Sequence, residues 1–154
     1  MIWPFSRERR ACFPVGPYRL NGSITALPGM IDLSAAELLA LDSQVQFQGE
    51  RILHAPSVNF LDHNWDTILG TVDNQIYKIA LQISGLSRSD GGAITRSVLV
   101  YITKQQEKRP KSEGPMSVWN AADGNIIFQD AWLGTEFVLN LFLTSSTVAG
   151  FHRI

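Results

Sequence analysis

The chain has 154 residues, 45% of them hydrophobic and 18% charged, with 13 Lys and Arg against 14 Asp and Glu for a formal net charge of -1. One domain of that length buries about two-thirds of its unfolded surface, so the composition excludes a disordered chain and requires no disulfide scaffold. The near-zero charge offers no general field to nucleic acid or anionic lipid, and the single cysteine, Cys12, excludes an internal disulfide and fits a reducing, cytoplasmic location.

In "MIWPFSRERRACFPVGPYRL" the charges follow an apolar tip, the reverse of a secretory signal. Cys12 follows Glu8, Arg9, Arg10 and Ala11 rather than small apolar residues, so no lipid attachment is expected. No run reaches the roughly 18 apolar residues of a membrane span. Residues 1–154 read as a single domain whose first 30 residues form an irregular segment, punctuated by Pro14, Gly16, Pro17, Gly22, Pro28 and Gly29.

The clearest helix start follows. In "DLSAAELLALD", Ser34 and Glu37 have capping-box spacing and Leu33 and Leu38 that of a hydrophobic staple, which predicts a helix over 35–43 with Leu38 and Leu41 inward. From residue 44 the pattern alternates: Val45 and Phe47 between glutamines, then an extended piece ended by Pro56. "WDTILGTVDNQIYKIALQIS", residues 65–84, reads as a hairpin bent at Asp73-Asn74, because Asx residues tolerate positive φ. Its first strand presents Trp65, Thr67, Leu69 and Thr71 on one face, and its second aligns Tyr77, Ile79, Leu81 and Ile83.

"SGLSRSDGG", residues 84–92, reads as the main loop. "AITRSVLVYITKQQEKRP" fits both a buried strand and a helix; helix formers over 104–109, with basic residues toward the end and Pro110 as a stop, favour helix. Met116 to Asn120 and Asn125 to Gln129 then flank a turn containing Asp123-Gly124. "TEFVLNLFLTSS", apolar on both faces apart from Asn140, reads as a central strand. The fold class expected is therefore α+β, a single antiparallel sheet with one or two helices packed on one face.

Few chemistries find support. His54, Asp62, His63 and Asp66 are the densest reactive collection and carry the alternative of a small metal-dependent hydrolase, since imidazole and carboxylate donate lone pairs or exchange protons near neutrality. Their spacing matches no metal motif, and Asx turns and local caps are their ordinary use. Cys12 lacks a nucleophile signature, and neither a serine elbow nor a phosphate-binding glycine motif occurs. No cofactor is expected. Lys104, Lys108, Arg109 and Lys111 read as a solvated helix end rather than a groove for nucleic acid.

The large aromatics remain. Tryptophan in a strand is ordinarily core, yet its amphipathic ring also anchors protein interfaces. Trp65, Tyr77, Trp119 and Trp132 are the expected binding residues if they reach a sheet face or loop rim.

The order of capped helix, hairpin with V-D-N-Q-I-Y-K-I, loop, helix ending in charges and Pro, and W-x-x-x-D-G-x-I-I resembles small bacterial α+β proteins. Its layout over about residues 30 to 144 is similar to the β-lactamase inhibitory protein and the small outer-membrane assembly lipoproteins. That resemblance implies binding of other proteins through the sheet or its loops, although those proteins are usually exported. It transfers no functional residue. The expected function is a non-enzymatic interaction module, an inhibitor, immunity or accessory protein, whose partner is another protein. Self-association through an open strand edge is a further expectation.

Overall fold

The computed structural model describes residues 9–24, 30–33 and 45–154. Alternating apolar residues between short turns build an antiparallel sheet from β1 (Ile31–Asp32), β2 (Glu50–Phe60), β3 (His63–Val72), β4 (Gln75–Leu86), β5 (Lys111–Glu113), β6 (Met116–Asn120), β7 (Gly124–Trp132) and β8 (Phe137–Ser145). The spatial order is β1-β2-β3-β4-β8-β7-β6-β5. Two meanders thus join where β8 pairs with β4, and α1 (Arg88–Gln106) links one meander to the other. The α+β class and the antiparallel sheet are as expected, with one α-helix among the described residues. The helix expected over 35–43 and the apolar tip at 1–5 lie outside the described residues.

Turn chemistry explains the first meander. Asp73 and Asn74 have φ of 52° and 65°, and Leu61 and Asp62 have 52° and 65°, the left-handed pairs that match a two-residue turn to strand twist. Leucine is disfavoured there by roughly 1–2 kcal/mol. Its side chain packs against the main core, which offsets that cost. β2 does not end at Pro56; the proline occupies the register shift between Ala55 and Val58, where no ladder donor is needed, and pairing resumes to Phe60.

One sheet face is the core. Trp65, Leu69, Ile79, Leu81, Trp119, Ile126, Leu139, Leu141 and Leu143 are at most 1% exposed. Over β4, β8 and β7 lies α1, which buries Ile94, Val98 and Ile102 at four-residue spacing. Over β2 and β3 the cover is the irregular N-terminal segment, which inserts Phe13, Val15, Tyr18 and Leu20. Phe13 stacks on Phe60 at 5.7 Å, while Tyr101 from α1 meets both rings edge-on at 5.3 and 5.4 Å. The Trp65 indole N–H, which burial would otherwise orphan, donates to the Phe60 carbonyl at 3.0 Å.

The N-terminal segment is also hydrogen-bonded into the sheet. Asn21 N–H donates to Ile76 O at 2.7 Å, Ile76 N–H to Gly22 O at 2.9 Å, and Ile24 N–H to Asn74 O at 2.9 Å. These bonds complete β4 beyond Lys78↔Thr144, where its pairing with β8 begins.

Two expectations are corrected. Residues 84–92 are not a loop: β4 runs through Leu86, the Ser87 side chain caps α1 by accepting from Asp90 N–H, and Gly91 and Gly92 are helical. Tyr77 does not align with Ile79 and Leu81. The register shift between Gly70 and Thr71 lets Ile76 take the core position and turns Tyr77 to the other face, against Gly70.

Candidate functional site

Strand alternation defines the second sheet face. The register places Ile31, His54, Ile68, Ala80, Phe142, Ile127, Val118 and Lys111 in one continuous row across eight strands. From Ile68 to Val118 the row is wholly apolar and half-buried, and its residues belong to neither apolar cluster of the fold. Among the described residues, α1 and residues 12–20 cover the opposite face.

Largely polar rows flank this stripe. On one side Asp66, Gln82, Asn140, Gln129, Met116 and Glu113 follow one another across the sheet, and Gln82 Nε2 donates to Asn140 Oδ1 at 2.8 Å. The other side carries Lys78, Thr144 and Asn125, with the Lys78 ammonium 5.6 Å from the Phe142 ring centre. The face thus sets an apolar centre between fixed amides on one side and the Lys78 ammonium on the other.

Toward Tyr77 the same face is closed by a second apolar cluster of Phe47, Val72 and Tyr77 with Val148 and Phe151. The Glu50 carboxylate organises that corner: its Oε1 accepts Gln46 N–H at 2.7 Å and Phe47 N–H at 3.1 Å, and its Oε2 accepts the Tyr77 hydroxyl. Burial, reinforced by the hydrogen bond to Glu50 and its charge, holds the Tyr77 phenol well above its ordinary range.

The four expected binding aromatics are not brought together. Trp65 and Trp119 are core, at 0% and 1% exposed, and Tyr77 is enclosed in its corner at 8%. Trp132 is exposed at the rim where β7 turns toward β8, between Phe137 at 5.1 Å and the Arg88 guanidinium at 4.7 Å, beside exposed Leu133. Buried strand tryptophans stabilise through area and an N–H partner, and Trp119 finds its own in the Lys108 carbonyl at 3.2 Å.

His54, Asp62, His63 and Asp66 are all exposed and do not converge. His54 and Asp66 lie on the stripe face, His63 pairs opposite Phe60 on the core side, and Asp62 is a turn residue. Among the described residues no three His, Cys, Asp or Glu side chains are placed to hold a metal ion. The basic run closes the helix end: the Lys108 ammonium donates to Asn120 O, and Arg10 pairs with Glu107 at 2.8 Å.

Asp73 and Asp123 are both turn residues with separate roles. Asp73 bends β3 into β4, while Asp123 Oδ1 accepts Cys12 N–H at 2.8 Å and fastens the N-terminal segment to the turn between β6 and β7. Burial, then the Asp123 charge and hydrogen bond, push the Cys12 thiol far up, which opposes formation of a nucleophilic thiolate.

The apolar stripe was missed as a site in the sequence, yet it left a signal. β8 is apolar at both alternating sets, and Ile126-Ile127 is a doubled apolar pair. No helix of the described residues is long and apolar enough to cross a membrane. No protein-family model, curated protein or solved structure matches the chain.

Proposed function

We propose that this chain is a non-enzymatic docking module that binds another protein through the stripe face, in the manner of an inhibitor, immunity or accessory protein. The continuous row Ile68, Ala80, Phe142, Ile127 and Val118 carries the reading. A contiguous apolar strip bordered by polar groups is the usual makeup of an interface centre and rim. The lone cysteine fits work in a reducing, cytoplasmic setting. The element order read from the sequence, which resembles the β-lactamase inhibitory protein group, implies the same kind of contact.

Photo-crosslinking in source cells tests it, with the reactive residue at Ile127 and, as control, at Arg96 on the exposed side of α1. A discrete crosslinked species from Ile127 alone is expected. Equal labelling from both positions, or none from Ile127, would reject the proposal.

A further inference from the structure

We draw no further inference here: the strongest candidate, the exposed surface patch of Trp132 and Leu133 beside Arg88 at the rim where β7 turns toward β8, carries nothing because nothing among the described residues shows what covers it.

Discussion

Gly91 on α1 rests against the Phe137 ring so closely that a Cβ there would lie 2.7 Å from Cγ and Cδ2. The contact fixes how far the helix sinks toward β8. Gly91→Ala should destabilise the fold by about 1–3 kcal/mol despite its better helix propensity, because Phe137 would also clash at its own Cβ and cannot swing aside. Gly92→Ala meets nothing nearer than Arg96 at 3.6 Å and should gain about 0.5–1 kcal/mol. Urea unfolding of the two variants measures both signs.

Phe13 belongs to a segment without regular structure yet is 2% exposed. Phe13→Ala should cost about 3–5 kcal/mol, as deep core truncations do. Arg10→Ala, three residues away, removes an ion pair whose side chains are 53% and 55% exposed and should cost no more than about 1 kcal/mol. Equal effects in thermal melts would mean that the segment is held by its charges rather than its ring.

How much of this was legible in the sequence depends on what each feature needs. Asp73-Asn74 announced its turn because left-handed backbone has few tolerant residues, whereas Gly124 serves a close approach, since a Cβ there would collide with the Thr144 carbonyl oxygen. The capping serine of α1 was hidden among glycines, since Gly91 serves a tertiary contact with Phe137 that no local pattern encodes. The same limit applies to the site. Alternation placed Trp65 on the core face, but the register shift beside Gly70 sent Tyr77 to the other face, and a register shift leaves no local mark. The stripe itself depends on five strands pairing in one register, two of them far apart in the chain.

Alkali should weaken the fold through Cys12 and Tyr77, with Tyr18, also raised by burial, adding to the effect of Tyr77. Cys12 and Tyr77 both have folded-state values raised above their ordinary 9.0 and 10.0, chiefly by burial. A raised value favours the protonated form in the folded state, so the contribution is complete below the unfolded value and is lost as pH rises beyond it. Stability should therefore hold up to about pH 9, then decline, more steeply past about pH 10. Cys12→Ala should remove the earlier part of the decline and Tyr77→Phe part of the later, the remainder belonging to Tyr18, as read by urea midpoints across pH. An unchanged decline in the double variant would refute the assignment.

The turn at Asn74, with φ of 65°, should tolerate glycine and resist β-branching. Asn74→Gly is expected to lie within about 1 kcal/mol of the parent, whereas Asn74→Val should lose about 1–2 kcal/mol. Chemical denaturation resolves that gap.

The claim that one sheet face folds the chain and the other docks is tested most directly at two consecutive residues. Ile126 is fully buried under α1, and Ile127 stands on the stripe. Ile126→Asp should unfold the protein at ambient temperature. Ile127→Asp should keep a cooperative melt within a few degrees of the parent while losing the partner captured by a photo-reactive residue at neighbouring Val118. Collapse of both variants alike, or a folded Ile127→Asp that still captures the partner, would contradict the division of labour between the faces.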